Sequence, residues 1–451
     1  MKRYDVVKMM VVVGTVVWSQ PTWADSSEQR VEALDQKVRI LERKLELAAE
    51  STQAKAQDAA VVAAGREGFG LSSADKAFKL KLRGYIQADG QFYLRDESKP
   101  LTDTFLLRRV RPIFEGTVYR DFDFKIMPDF GGGKAVLYDA YLDYHADAAV
   151  NLRAGKFKPP VGLERLQSAT DLRFVERALP TALVPTRDVG LQLYGDLLGG
   201  TLSYAAGIFN GVPDGASADV DYNNGKEFAG RLFATPFKNT DVEGLKTLGF
   251  GVSGSYGKNE GSLVNTGLSA LKSGGQQTFF SYLSSTNLDG TVVADGIHSR
   301  VSPQAYYYWD SFGLLGEYVA SSQEISKGKN RDTLVNTAWQ IQGSYVLTGE
   351  KASYKGVTPT HAFDWRKGDW GAFEIVARYN ELAVDSKTFP TYADNTKSAS
   401  KAKAVGAGVN WYLNKDVKVV LDFEQTRFTD GSKKADRETE NALFTRLQVA
   451  F

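Results

Sequence analysis

The chain has 451 residues, 24% of them charged and 12% aromatic, with three histidines, no cysteine and a formal net charge of +1. Disulfides and thiolate metal sites are excluded, and His145, His298 and His361 lack ligand spacing, so no metal or cofactor is expected. No apolar run approaches the roughly eighteen residues of a membrane helix, but membrane-crossing strands escape that test because only alternate residues face lipid.

Residues 1–24 read as a secretory signal. Lys2, Arg3 and Lys8 form its charged start, Met9 to Val17 its apolar core, and Thr22-Trp23-Ala24 its small-residue cleavage site. Removing it takes away three bases and one acid, which leaves the mature chain at −1. Any attraction for a charged partner then depends on local placement, and no nucleic-acid partner is expected.

Residues 25–52 carry apolar side chains at heptad spacing: Val31, Leu34, Val38, Leu41, Leu45 and Ala48. One seam of this kind predicts a short coiled-coil helix for oligomerisation, with a lone amphipathic helix as the alternative. Residues 53–75, rich in Ala, Gln and Asp at their start, are expected to be a linker.

From Phe78 the pattern changes to period two. Phe78, Leu80, Leu82, Gly84, Ile86 and Ala88 share one face, and Lys79, Lys81, Arg83, Tyr85, Gln87 and Asp89 the other. The same contrast recurs at 335–347, 405–413 and 417–424. Short turns (119–121, 197–200, 310–313, 414–416) take turns with longer polar loops (96–103, 159–187, 211–225, 259–296, 385–400, 428–440), and only 350–369 breaks the order. One rim of tight turns and one of long loops predicts a transmembrane β-barrel over 76–451, all-β and antiparallel, with about sixteen strands and a water-filled lumen. The last strand places Leu443, Thr445, Leu447, Val449 and the terminal Phe451 on one face. Its lipid-facing side implies outer-membrane lipid as a partner.

The alternation fails over residues 153–187. Pro159, Pro160, Pro180 and Pro185 stand there with Arg153, Lys156, Lys158, Arg165, Arg173, Arg177 and Arg187, against Glu164, Asp171 and Glu176. Seven bases and three acids give a local charge of +4. A long loop inside a barrel protein is usually functional, so this one is expected to be inserted and to give the lumen a basic constriction. Several spaced cations suit a conducted anion, because conduction needs weak, multi-site binding. In the second strand, parity with Val110, Pro112 and Phe114 sends Arg109 and Arg111 to the lumen, and Arg108 outward unless a bulge turns it. The bland reading is a set of wall charges paired with Glu115, Asp129, Asp139 and Glu164.

Enzymatic chemistry has no support here. No serine near a histidine has a recognisable catalytic setting, and Gly131-Gly132-Gly133-Lys134 has neither the spacing nor the following helix of a phosphate loop.

Six segments taken in order resemble the phosphate-selective porin O and P family: FKLKLRGYIQADGQF (78–92), LRRVRPIFEGTVYRD (107–121), VGLER (161–165), YVLTGE (345–350), GVNWY (408–412) and RLQ (446–448). The resemblance implies a homotrimer of sixteen-stranded barrels in a Gram-negative outer membrane. It also implies passage of phosphate or polyphosphate through a constriction lined by arginine and lysine, and assembly machinery that reads the C-terminal Phe451. Position by position it carries over Arg108, Arg109, Asp139 and Arg165. It departs at Tyr85, where a characterised phosphate channel has arginine (Arg83 lies two residues away on the same face), and at Asp123, where it has lysine. These departures keep a general diffusion porin open as the alternative, and behind it a plugged surface barrel.

Overall fold

The computed structural model describes residues 27–58, 60–65, 68–94, 101–432 and 436–451. The signal at 1–24 lies outside them, as do parts of the loops at 96–103 and 428–440. Two compact units divide the chain, Met1–Ala59 and Ala60–Phe451.

The first unit contains one helix, α1 (Ser27–Asp58), which runs beyond the expected end at 52. Its seam residues Val31, Leu34, Val38, Leu41 and Leu45 are all exposed. Arg39 pairs with Asp35 one turn away at 2.9 Å, the spacing that supports a solvated helix face.

In the second unit, residues 61–72 are not the expected linker. Val61–Gly65 and Gly68–Ser72 form an antiparallel hairpin, and its second strand pairs with residues 79–82. Those four residues extend beyond the stretch that the C-terminal strand covers, so the hairpin satisfies backbone groups that the barrel leaves open.

Sixteen strands close the barrel. They are β1 (Lys79–Tyr93), β2 (Thr104–Val118), β3 (Phe122–Asp129), β4 (Val136–His145), β5 (Asn151–Phe157), β6 (Asp188–Leu197), β7 (Leu202–Phe209), β8 (Glu227–Ala234), β9 (Gly249–Glu260), β10 (Val293–Trp309), β11 (Phe312–Lys327), β12 (Asn330–Val346), β13 (Ala372–Ala383), β14 (Ala399–Tyr412), β15 (Val417–Asp430) and β16 (Glu440–Ala450). Every strand pairs antiparallel with its sequence neighbour, and β16 returns to β1 from Ala442↔Tyr93 to Ala450↔Tyr85. Phe451 continues the closure by exchanging backbone hydrogen bonds with Gly84, both 2.9 Å.

The period-two pattern becomes two surfaces. Val335, Trp339, Ile341 and Tyr345 of β12 are exposed on the outside, while Asn336, Gln340, Gln342 and Ser344 are buried inside. The two rims are less regular than the sequence implied. The long connection expected near 350–369 on the turn rim spans 347–371; in addition, residues 235–248 are long on that rim and only Gly328 and Lys329 join β11 to β12 on the loop rim.

The lumen has two unlike halves. Beside β11 to β15, Val319, Ala338, Leu382, Ala402 and Phe428 turn inward and pack with Val161, Leu179, Leu183, Leu271, Phe279 and Phe280 from the loops. The wall from β1 to β8 lines the open space, although Phe157, Phe209 and Ala229 join the same packed cluster.

Candidate functional site

Two β-bulges shape the open wall. In the β1–β2 ladder Gln87 pairs with Arg109 and Ala88 with Leu107, so Arg108 is the extra residue. It turns inward instead of facing lipid, and Arg108 and Arg109 enter the lumen together. In the β3–β4 ladder Met127 pairs with Asp139 and Pro128 with Leu137, which makes Tyr138 the extra residue. Proline cannot donate to a ladder, and opposite Pro128 the strand bulges and brings Tyr138 in beside Asp139.

Residues 158–187 are fastened to the far wall. Gly162 has φ +82°, a conformation glycine adopts without strain. The following amides of Leu163 and Glu164 donate to the Glu317 carboxylate of β11 at 2.7 and 3.3 Å. This accounts physically for the Val161-Gly162-Leu163-Glu164 motif. Val175 N donates to Asp422 at 2.8 Å and Leu179 N to Asn380 at 3.1 Å. Arg173 is fully buried and donates to Glu374 at 2.8 Å and to the Ser353 carbonyl at 2.9 Å. Val161, Leu163, Val175, Leu179, Leu183 and Val184 are almost completely buried, and each such side chain contributes roughly 1.5–3 kcal/mol. On the near side Glu176 accepts from Arg108 at 2.5 and 3.1 Å. Burial raises the Glu176 carboxyl, but Arg108 and then Arg109 outweigh it and hold it at about 2.

The open half is a cavity of about 580 Å³. Eight cationic residues line it (Arg83, Arg111, Lys125, Arg153, Lys158, Arg177, Arg187 and Arg231), and Asp139 and Asp196 are the acidic side chains among the lining residues. Five of the eight have carboxylate partners. Arg83 meets Glu115 at 2.7 Å, Arg111 meets Asp129 at 2.7 Å and Arg153 meets Asp143 at 2.5 Å. Arg187 and Lys125 share Asp139, at 2.6 and 3.9 Å.

The other three bond only to neutral oxygens. Lys158 donates to the carbonyls of Leu166 and Gln167 at 3.0 and 2.8 Å. Arg177 donates to those of Glu164 and Gln167 at 3.2 and 2.9 Å. Arg231 donates to the Gln304 side-chain oxygen at 3.1 Å. Among the described residues none of these three has a carboxylate within the 4.0 Å of an ion pair. Burial first, and then Arg187 and Arg177, hold the Lys158 ammonium well below its ordinary 10.5.

Aromatic rings hold the paired guanidinium groups in place. Arg111 and Arg187 lie 3.8 and 4.1 Å from the Tyr138 ring centre. Arg153 lies 4.3 Å from Tyr141 and 4.8 Å from Tyr194. Arg111 also donates to the Tyr85 hydroxyl at 2.6 Å, so the tyrosine at that departure orients a neighbouring cation.

Of the twelve residues singled out from sequence, Arg83, Tyr85, Arg111, Asp139, Arg153, Lys158 and Arg177 line this cavity; Arg108, Arg109, Lys156, Arg165 and Arg173 do not. Arg109 donates to Gln87 at 2.7 Å, Arg165 to the Thr181 carbonyl at 2.5 Å, and Lys156 to the Leu137 carbonyl at 2.8 Å and to Asp219. Sequence reasoning missed Tyr138, Lys125 and Arg231. The bulge residue defeats a parity count, and its one signal is Pro128 in the partner strand. Arg231 has no motif.

A closed sixteen-stranded barrel, apolar outside and with a cation-lined cavity within, is the architecture of a channel. Residues 78–451 match the family model described as "Phosphate-selective porin O and P", and the chain belongs to that family. Porin O of Pseudomonas aeruginosa is 25% identical over 419 residues, 87% of this chain and 92% of that protein. Two solved structures share the fold. The outer membrane channel DcaP of Acinetobacter baumannii has a TM-score of 0.54 and 12% identity over 83% of this chain and 98% of its own. An anion-selective porin from Comamonas acidovorans has a TM-score of 0.50 and 10% identity over 83% of this chain and 100% of its own. The chain is an anion-selective channel of the outer membrane.

Proposed function

We propose that the cargo is phosphate or polyphosphate, and that residues 158–187 act as an inserted constriction holding it against the β1–β8 wall. The observation that carries this is the set of uncompensated cations, Lys158, Arg177 and Arg231, at one cavity. They bond to neutral oxygens, so no carboxylate at ion-pair distance offsets the charge they offer a passing anion. The paired Arg111, Arg153 and Arg187 extend the track with weaker sites, which suits release as well as entry. Asp139, whose one carboxylate offsets part of the charge of Arg187 and Lys125, limits trapping.

The test is single-channel recording in planar bilayers. Chloride carries the current in a KCl gradient, and phosphate and pyrophosphate reduce it at lower concentrations than acetate does. Equal chloride and potassium permeabilities, with no block by phosphate, remove this reading and leave a general diffusion porin.

The working unit is proposed to be a homotrimer, exported by a signal ending at Ala24 and assembled through recognition of the C-terminal Phe451. The exposed heptad seam of α1 supports a coiled coil among the three copies. A chain lacking residues 25–58 is then less resistant to heat dissociation than the full mature chain. If both dissociate at one temperature, the helix has no oligomerising role.

A further inference from the structure

Residues 347–371 join β12 to β13 on the turn rim, and they take an unusual path. They first enter the lumen, where Tyr354 donates to the Leu163 carbonyl at 2.6 Å. They then cross to the outside of the barrel. Phe363 N donates to the Leu413 carbonyl at 2.6 Å, and Asp364 and Asp369 exchange backbone bonds at 2.9 and 3.1 Å, closing a small hairpin. The chain returns past Gly371, where a Cβ would lie 2.2 Å from the Tyr412 carbonyl oxygen.

This hairpin lies against the lipid-facing side of the strands. Phe373 and Trp411 point outward, since Ala372, Glu374, Asn410 and Tyr412 are buried and Ile375 and Val409 exposed. Phe363 packs edge-on against Trp411 at 5.3 Å, and the Trp411 indole donates to the Trp370 carbonyl at 2.7 Å. Yet two further indoles stay bare: Trp365 is 67% exposed and Trp370 58%. Arg366 projects beside Trp365, 5.6 Å from its ring, and forms no ion pair among the described residues. His361, Trp365 and Arg366 edge a cup of about 560 Å³.

We propose that residues 363–370 are an interfacial anchor for phospholipid, with Trp365 and Trp370 in the headgroup layer of the leaflet at the turn rim and Arg366 on a lipid phosphate. Phospholipid is the occupant the surroundings favour, because Trp370 packs on Phe363 at 5.8 Å and Phe363 on Trp411, which joins the hairpin to the exposed apolar face of β13 and β14. Indole rings settle at membrane interfaces, where one edge is apolar and the other wet. A free guanidinium beside them matches the phosphate level of that layer.

The chain has no cysteine, so one can be added at the hairpin tip as Lys367→Cys and labelled with a nitroxide, and another in the lumen as Lys355→Cys. The labelled full chain is reconstituted into vesicles of phosphatidylethanolamine and phosphatidylglycerol, and accessibility to oxygen is compared with that to a water-soluble nickel complex. At 367 the oxygen-to-nickel ratio is expected to exceed that at 355 by about threefold or more, as headgroup-level placement requires. In a Trp365→Ser/Trp370→Ser background the excess at 367 disappears, while trimer yield is unchanged. Inorganic phosphate alone leaves the ratio at 367 unaltered. Equal ratios at 367 and 355 with both indoles present overturn the proposal. So does a label at 367 shielded from both reagents, which marks contact with another protein surface.

Discussion

Arg111 and Arg187, from a barrel strand and from the end of the long loop, share the ring of Tyr138, at 3.8 and 4.1 Å from its centre. Each is also held by its own aspartate, Asp129 or Asp139. The ring therefore fixes two like charges at one level of the cavity while the carboxylates prevent their mutual repulsion from spreading them. Tyr138→Phe keeps the ring face and is expected to leave selectivity close to wild type. Tyr138→Ala removes an attraction of about 0.5–2 kcal/mol per cation, and anion-over-cation permeability is expected to fall. Reversal potentials of the two variants in one salt gradient check this; equal values exclude the ring from the pathway.

Charge at the cavity is carried unequally. Converting both Lys158 and Arg177 to Gln removes two uncompensated cations, each worth roughly 3 kcal/mol to an anion about 6 Å away at an effective dielectric near 20, before screening. Lumen water and salt reduce that, so a several-fold loss of anion preference is expected. Arg109→Gln/Arg165→Gln, which changes residues outside the cavity lining, is expected to shift the reversal potential less. The reverse order would reassign the pathway.

Lys158 is expected to give the channel a pH dependence. Its ammonium is held below the ordinary 10.5 by burial and by Arg187 and Arg177. Raising the pH therefore strips its charge at a pH where an exposed lysine keeps its own. Anion conductance should decline on the alkaline side while ordinary lysines are still charged. Lys158→Gln should be low and flat across that range. A wild-type curve that is flat up to the ordinary lysine range contradicts the assignment.

Arg173 and Glu374 test the fastening of the loop. Both are buried and bonded at 2.8 Å, so removing one partner strands the other and costs about 3–5 kcal/mol. Arg173→Ala is expected to raise open-channel noise as residues 158–187 loosen, with unitary selectivity changed less than in the cavity variants. The pair Arg173→Met/Glu374→Leu, which leaves no orphan charge, is expected to regain quiet openings. Noise unchanged in Arg173→Ala would falsify the role of this pair as a fastener.

The barrel itself was legible because its outer face must be apolar at every second residue, a constraint that Val335, Trp339 and Ile341 meet as plainly as Leu80 and Leu82. The cations of the long loop were also visible, but their division into fasteners and cavity-lining residues was not. Arg173 and Arg177 lie four residues apart in the same loop, yet one meets Glu374 in the far wall and the other only carbonyls at the cavity. What separates them is the position of carboxylates on strands some two hundred residues away, which no local pattern encodes. The bulges were hidden for a different reason. One extra residue at Arg108 and another at Tyr138 reverse the parity on which face assignments rest. The hairpin at 61–72 was hidden by a weak, small-residue composition that mimics a tether.

The uneven filling of the lumen has a consequence for how such a channel changes its preferences. The long loop packs most heavily on β11 to β15, though Phe157, Phe209 and Ala229 of β5, β7 and β8 join the same core, and the cation-lined cavity belongs to the loop's free edge and to β1 through β8. Tolerance to mutation should be polarised in the same way. Volume is constrained where the loop packs, at Met127, Phe157, Phe209, Ala229 and Phe233 as well as on β11 to β15, so a library confined to the polar cavity-lining positions of β3 to β8 is expected to retune conductance with little risk to folding.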